Sequence, residues 1–370
     1  MTEFSAYDNE FMSRAIRLAK RGLYTTHPNP RVGCVITKDN NIVGEGWHKK
    51  TGEGHAEVNA LMQAGTQAQG ATAYVTLEPC CHTGKTPPCT DSLIKAGITR
   101  VVAAMQDPHS KVAGNGFQVL RDAGIDVEVG LLEEQAQLLN PGFIKRMQQG
   151  LPFVRIKMAM SVDGRTAMAS GESKWITSES ARNDVQHWRA QSSAMLTGIG
   201  TILYDNPSLT VRHNEGALAH AIVDQPLCVI LDSSLQLPID AKVIQKLDEI
   251  LVFTNSTDQK KIAALEAVGV QVQFVDKGET GLDLEQILKH LASLEINEVM
   301  IEAGATLTGS FIAAGLVDEL IIYMAPVLMG DKSRALFHLP DIQQMNQKIQ
   351  LNIQEMRKFG EDIRIIATLS

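Results

Sequence analysis

Gly54-His55-Ala56-Glu57 and Glu78-Pro79-Cys80-Cys81-His82-Thr83-Gly84-Lys85-Thr86-Pro87-Pro88-Cys89 are the stretches whose reading decides this chain. They offer one imidazole and two thiolates, a donor set that leaves the fourth tetrahedral position of a zinc ion open for water. Zinc brings the pKa of such a water down to roughly 7, so hydroxide is available at neutral pH. Glu57, two residues after His55, is placed to move protons between that water and a leaving amine. The third ligand needs an argument. The usual second half of such a motif is Pro-Cys-x-x-Cys, and Thr83 stands where its second cysteine would be. Cys81 and His82 compete for the role. Binding both of the neighbours Cys80 and Cys81 to one ion would strain the backbone. Cys89 instead opens a helix-like run, Asp91-Ser92-Leu93-Ile94, and a helix N-terminus stabilises a thiolate. The expected ligands are therefore His55, Cys80 and Cys89, with one zinc per chain.

The motif ends before residue 100 of a 370-residue chain, which has length for two domains. A hydrophobic content of 44% and a charged content of 21% describe an ordinary globular protein. No apolar run approaches the roughly 18 residues of a membrane span. Met1-Thr2-Glu3-Phe4-Ser5 lacks the basic and apolar regions of a secretory signal. Of the five cysteines three are given to metal, while Cys34 and Cys228 lie in apolar strand-like runs and read as core. That usage fits a reducing compartment, and a cytoplasmic location is expected. A net charge of −8 and an aromatic content of 5% argue against a nucleic-acid groove. A local basic pocket for one phosphate is still allowed.

Hydrophobic periodicity predicts a helix over 7–21 with Asp8 as N-cap, strands over 32–36 and up to Trp47, and a helix over 55–64. A strand over 73–77 delivers Cys80. A helix near 90–96, a strand over 100–105 and a further strand–helix unit to about 147 follow. This alternation implies a three-layer α/β/α domain over 1–147. Gln148-Gln149-Gly150-Leu151-Pro152 reads as a linker. In 153–370 strands are expected at 153–160, 227–231, 250–253, 298–301, 320–323 and 363–367. Helices are expected at 178–191, 258–268, 282–293 and 306–314, which makes a second α/β domain with a mostly parallel sheet.

A second site is signalled by Glu302-Ala303-Gly304-Ala305-Thr306-Leu307-Thr308-Gly309-Ser310, which leaves a strand and opens a helix. Such a turn frees backbone N–H groups for a phosphate, helped by the helix dipole. The run is not G-x-G-x-x-G, so the Rossmann fingerprint is absent. Ser161-Val162-Asp163-Gly164-Arg165, Ser173, Trp175, Arg189, Thr201, Asp205, Asn206-Pro207 and Arg212 form a polar block whose arginines suit bidentate phosphate binding. Trp175 also reads as a core anchor.

Together with His27-Pro28-Asn29-Pro30-Arg31-Val32-Gly33, these motifs closely resemble the bacterial bifunctional riboflavin-biosynthesis deaminase/reductases over nearly the whole chain. The resemblance implies a cytidine-deaminase-like zinc domain followed by a dihydrofolate-reductase-like α/β domain. It implies hydrolytic deamination of 2,5-diamino-6-(5-phosphoribosylamino)pyrimidin-4(3H)-one, then reduction of the ribosyl side chain of 5-amino-6-(5-phosphoribosylamino)uracil to ribityl by NADPH. Carried over residue by residue, it implies zinc on His55, Cys80 and Cys89, Glu57 as proton shuttle, and Asn29, His48 and Lys85 on the first substrate. In the second site it implies NADPH contacts from Ala159, Trp175, Thr201, Asp205, Ser233 and the loop Gly304, Ala305, Thr306, Leu307, Thr308, Gly309 and Ser310. Ser173, Arg189, Leu209, Arg212 and Glu302 would hold the second substrate. Lys157 and Asp205 are the groups considered for a proton relay. A homo-oligomer is expected, with no nucleic-acid or membrane partner.

Three other readings are distinguishable. A deaminase acting on another nucleobase or on nucleic acid, with a merely binding second domain, is one; its nucleic-acid form would need a basic, aromatic-bearing surface. A zinc-stabilised scaffold would fill the fourth position with His82 or Cys81. An enzyme with one live domain would catalyse only one of the two steps.

Overall fold

The computed structural model describes residues 4–82, 87–109, 112–212, 218, 223–278 and 281–370. The chain divides into two compact units, Met1–Leu151 and Pro152–Ser370. Among the described residues no helix is long and apolar enough to cross a membrane.

The first unit runs α1 (Ala6–Ala19), β1 (Gly33–Lys38), β2 (Asn41–Trp47), α2 (Ala56–Ala64), β3 (Thr72–Val75), α3 (Cys89–Lys95), β4 (Arg100–Ala103), α4 (Asn115–Asp122), β5 (Asp126–Val129), α5 (Glu133–Gln137) and α6 (Pro141–Gln149). The sheet order is β2-β1-β3-β4-β5. β1 is antiparallel to β2 and β3, and β3, β4 and β5 are parallel. Alternate strand residues feed opposite faces. Cys34, Ile36, Val101 and Ala103 pack with Ala56, Ala60, Leu93, Phe117 and Leu120 of α2, α3 and α4. Val35 and Val102 pack with Phe11, Met12 and Ala15 of α1 and Ala136 of α5. This is the expected three-layer arrangement.

Two local expectations change. Ser5, not Asp8, caps α1: the Ser5 hydroxyl accepts from the Asp8 N–H at 3.1 Å, and the Asp8 carboxylate accepts from the Ser5 N–H at 2.8 Å. This capping box starts the helix one residue earlier than its apolar pattern does. Asp8 also accepts from Tyr74 and Arg100, which lie on neighbouring strands. At the other end of the unit, α6 absorbs the first residues of the expected linker and stops at Gly150, whose φ of 68° suits a glycine C-cap.

The second unit runs β6 (Phe153–Ser161), β7 (Arg165–Ala167), α7 (Glu179–Gln191), β8 (Ala194–Gly198), α8 (Ile199–Asp205), β9 (Leu227–Leu231), α9 (Lys242–Lys246), β10 (Ile250–Thr254), α10 (Gln259–Glu266), β11 (Gln271–Phe274), β12 (Lys277–Gly278) and β13 (Gly281–Leu282). It continues with α11 (Leu284–Ser293), β14 (Glu298–Ile301), α12 (Ala305–Ala313), β15 (Glu319–Ala325), β16 (Arg334–Ala335), β17 (Leu351–Phe359) and β18 (Asp362–Leu369). The main sheet has the order β11-β10-β9-β8-β14-β6-β15-β18-β17. It is parallel from β11 to β15, and β18 and β17 close it antiparallel. The sequence reading missed β8, α8, α9, β11 and β17. β17 is exposed at every position but the last, so no buried face marks it.

The chain leaves β6 for β8 and continues outward through β9, β10 and β11. It then returns to insert β14 between β8 and β6. The order of travel therefore reverses at β14. In an open parallel sheet, ligands bind outside the strand carboxyl ends at such a reversal.

Candidate active sites

In the first unit, His55 is the N-cap of α2, with extended backbone and no capping bond from its side chain. Cys80 follows β3, and Cys89 is the first residue of α3. Their ligand atoms all lie within 4.8 Å of one another. His55 Nδ1 is 3.6 Å from Cys80 Sγ and 3.3 Å from Cys89 Sγ. The Cys89 backbone N–H donates to Cys80 Sγ at 3.4 Å, and Thr90 N–H donates to the Cys80 carbonyl at 3.2 Å. Hydrogen bonds from Cys89, with the His55 ring, hold the Cys80 thiol below the ordinary thiol range. One nitrogen and two sulfurs converging in this way fit zinc. Among the described residues neither Cys81 nor His82 joins this group.

Glu57 is 3% exposed in the first turn of α2. Burial, then the neighbouring Cys80 charge, push its carboxyl up to about 7. Asn29 Nδ2 lies 3.1 Å from His48 Nε2, and His48 Nδ1 lies 3.3 Å from the Gly54 carbonyl. The carbonyl can only accept, so Nδ1 carries the proton and Nε2 accepts from Asn29. Burial lowers the His48 pKa, which keeps the ring neutral. Its plane is nearly perpendicular to that of His55, with ring centroids 5.3 Å apart. Lys85 lies outside the described residues.

Glu78 precedes the expected ligand Cys80 by two residues in the motif. It is 3% exposed, and its carboxylate accepts from the backbone N–H groups of Asp107, Gly114, Gly116 and Phe117 at 2.8–3.3 Å. Gly116 permits this approach, because a Cβ there would lie 2.1 Å from the Pro79 carbonyl. The start of α4 is thereby fastened to the residues that deliver Cys80.

In the second unit a cavity of about 880 Å³ opens at the carboxyl ends of β6, β8, β9 and β14. Its lining includes Lys157, Ala159, Ser173, Trp175, Arg189, Thr201, Asp205, Leu209, Arg212, Ser233, Glu302, Gly304, Ala305, Thr306, Leu307 and Ser310. Two residues of the expected loop contribute nothing to that wall. Thr308 is fully buried with its hydroxyl on the Gly304 carbonyl, and Gly309 packs against the backbone of His338. Gly304 caps α12, and a Cβ there would meet no atom within 4 Å. No side chain caps the first turn of α12, and its residues Ala305, Thr306 and Leu307 line the cavity. Trp175 is 70% exposed, so it is no core anchor.

Glu302 organises the charge in this cavity. Its carboxylate receives Arg189 Nε at 2.6 Å and Nη2 at 3.0 Å, and Lys157 Nζ at 3.4 Å. Arg189 Nη1 donates to the Thr210 carbonyl at 3.0 Å. Burial alone would raise the Glu302 pKa, but Arg189 and Lys157 outweigh it and hold the group at about 2. The Arg212 guanidinium has no carboxylate partner among the described residues. Burial and then repulsion from Arg189 lower its pKa. Asp205 receives the Ser173 hydroxyl at 3.4 Å. No hydrogen bond joins it to Lys157 among the described residues, so the two groups considered for a relay stand in separate networks.

Because the Glu302 pKa lies below its ordinary value, its stabilising effect is full above about 4.5 and is lost as pH falls toward 2. We expect the second unit to lose on the order of 3 kcal/mol over that window from this group. Denaturant unfolding at pH 6 and pH 3 should show a flatter pH dependence for Glu302→Gln. An unchanged dependence would count against this assignment.

Residues 152–365 match the RibD C-terminal domain family, and residues 5–105 match the cytidine and deoxycytidylate deaminase zinc-binding region. The chain is 47% identical to the riboflavin biosynthesis protein RibD of Escherichia coli (strain K12), over 96% of this chain and 98% of that protein. It is 48% identical to RibD of Haemophilus influenzae, over 100% and 99% of the two. A structure of Acinetobacter baumannii RibD superposes with a TM-score of 0.91 at 47% identity, covering 98% of this chain and 99% of that one. A Thermotoga maritima diaminohydroxyphosphoribosylaminopyrimidine deaminase/5-amino-6-(5-phosphoribosylamino)uracil reductase superposes at 0.85 with 33% identity, covering 98% and 99%. With its cytidine-deaminase-like first unit and its reductase-type second unit, the chain belongs to the RibD family and is a bifunctional deaminase and reductase of riboflavin biosynthesis.

Proposed function

We propose that His55, Cys80 and Cys89 hold one zinc ion, that Glu57 is the proton shuttle of the deamination, and that the cavity of the second unit binds NADPH beside the ribosyl side chain to be reduced. One imidazole and two thiols converging beside a buried carboxyl, with no fourth donor among the described residues, carry the first half of this reading. Bound zinc would supply an ionised water at neutral pH. Glu57 takes a proton from the attacking water and delivers it to the departing amine, so ammonia leaves and a carbonyl replaces the amino group. A carboxyl near 7 can both accept and donate at neutral pH. The Asn29 amide donates to His48, which aims its Oδ1 as an acceptor for the substrate. Lys85 completes the substrate contacts on the family pattern.

In the second site the nicotinamide would supply a hydride to the anomeric carbon of the opened ribose. Ala305, Thr306 and Leu307, whose turn has no side-chain cap among the described residues, offer their N–H groups to the cofactor phosphates. Ala159, Trp175, Thr201, Ser233, Asp205 and Ser310 line the rest of that path. Arg212 takes the substrate phosphate, and Ser173 and Leu209 line the same wall. Glu302 spends its charge on Arg189 and Lys157, which orients both cations. Lys157 is the proton donor best supplied with a partner. Homo-oligomerisation has support in the second unit, where the register puts Leu351, Ile353 and Met356 of β17 on one sheet face with Ile363, Ile365 and Leu369 of β18. Ile353 and Met356 are 59% and 58% exposed.

Metal analysis should find one zinc in the wild type, loss in Cys89→Ser and retention in Cys81→Ser. The reverse pattern would overturn the ligand choice. Glu57→Gln should keep zinc and lower the deamination rate by at least 10²-fold. It should still oxidise NADPH when supplied with the deaminated intermediate.

Arg212→Ala should raise the KM for the reductase substrate by about ten-fold, with little change in the KM for NADPH. An effect confined to NADPH would reassign the residue. Ile353→Lys should shift the mass measured by light scattering toward a monomer. An unchanged mass would remove this face from the oligomer.

A further inference from the structure

The segment between β7 and α7 carries both Ser173 and Trp175, and its two ends are held far more firmly than its middle. At the first end the Asp163 carboxylate accepts from the Ser161 hydroxyl at 2.5 Å, Met329 N–H at 3.1 Å and Gly330 N–H at 2.8 Å. Beyond it β7 pairs with β16, Ala167 opposite Arg334. At the second end Ser178 caps α7, and its backbone N–H and hydroxyl donate to Asp362 at 2.7 and 2.6 Å. Residues 168–177 between these anchors form a strap along the cavity wall.

The strap meets the last turn of α8 through a few exposed or part-buried contacts. Ser173 Oγ donates to Asp205 Oδ1 at 3.4 Å, and Lys174 Nζ donates to the Asp205 carbonyl at 3.1 Å. Arg334 makes the third link. Its guanidinium lies 5.5 Å from the centre of the Tyr204 ring, and its Nη2 would be 3.3 Å from a Cβ at Gly171. Gly171, with φ of 93° and no side chain, lets the guanidinium pass between strap and helix. Tyr204 is 77% exposed, yet it lines the cavity with Arg334 and Gly171. Exposed cation–π and surface polar contacts are individually weak. Toward α7 the strap is held by Arg182, which lies 4.5 Å over the Trp175 ring and donates to the Thr177 carbonyl at 2.6 Å. The stretch around Gly171 and Ser173 that faces α8 has only the weaker contacts and can open without disturbing the sheet.

We propose that Tyr204 and Arg334 are positioning residues of the reductase reaction: they latch the strap of residues 168–177 onto α8 and thereby hold Ser173 and Trp175 over the bound cofactor. This rests on the reading of the cavity as the NADPH site. The latch closes after the cofactor enters, and its opening sets the rate at which oxidised or reduced cofactor leaves. Neither side chain takes part in proton or hydride transfer.

The test is a stopped-flow chase on the full-length chain, in which bound NADPH is displaced by excess NADP and its release is followed by nicotinamide fluorescence. Tyr204→Ala should speed release about five-fold, the scale of one exposed cation–π contact. Tyr204→Phe keeps the ring and should restore the wild-type rate. Arg334→Ala should speed release as well, and the double variant should be no faster than the faster single one, since both break the same latch. The KM for NADPH should rise with kcat unchanged or higher. Wild-type release rates in both alanine variants, additive effects in the double variant, or a Tyr204→Phe variant that behaves like alanine would each overturn the latch. Failure of the wild type to bind NADPH would instead overturn the reading of the cavity.

Discussion

A carboxylate buried away from water must find donors or cost the fold several kcal/mol, and this requirement shapes both units. In the first unit Glu78 accepts, among the described residues, from the backbone N–H groups of Asp107, Gly114, Gly116 and Phe117, which draws these residues against the end of β3. In the second unit Glu302 is satisfied by cations from two other elements, Arg189 of α7 and Lys157 of β6. Each carboxylate follows the carboxyl end of a parallel strand, where functional groups gather. Each therefore sets local geometry that the chemistry then uses. Cys80 is delivered two residues beyond Glu78, and the α12 turn begins two residues beyond Glu302.

The parts of these sites legible in the sequence were those whose chemistry needs particular residues close together in the chain. His55 and Glu57 share one helical turn, and Cys80 and Cys89 bracket one loop, so their grouping follows from spacing. The Gly304 turn was visible for the same reason. The three-layer first unit and the parallel second sheet were legible from alternating apolar segments. What the sequence withheld depends on partners distant in the chain. Glu78 looks like an ordinary motif residue until Gly114 and Gly116 arrive from α4. Arg189 and Arg212 look equivalent in the sequence, and only the structure shows that Arg189 is the one paired with Glu302. Thr308 and Gly309 continue the loop in sequence, but the helical turn directs them into packing. β17 escaped notice because an exposed edge strand has no buried face to impose a period of two.

The distribution of charge around Glu302 has a consequence for how substrate arrives. Lys157, Lys174, Arg182, Arg189, Arg212, Lys242 and Arg334 line the same cavity against the carboxylates Asp205 and Glu302, so its wall is positive. The chain as a whole carries −8. A phosphorylated ligand is therefore repelled by the molecule at long range and attracted only near the mouth of the cavity. At physiological ionic strength the Debye length is about 8 Å, short enough to screen most of the distant repulsion and leave the local attraction. Dilute buffer lengthens the reach of the repulsive field as well as the attractive one. Capture of the phosphorylated pyrimidine should then depend on salt far more weakly than is usual for a phosphate-binding protein, because two opposing fields are screened together.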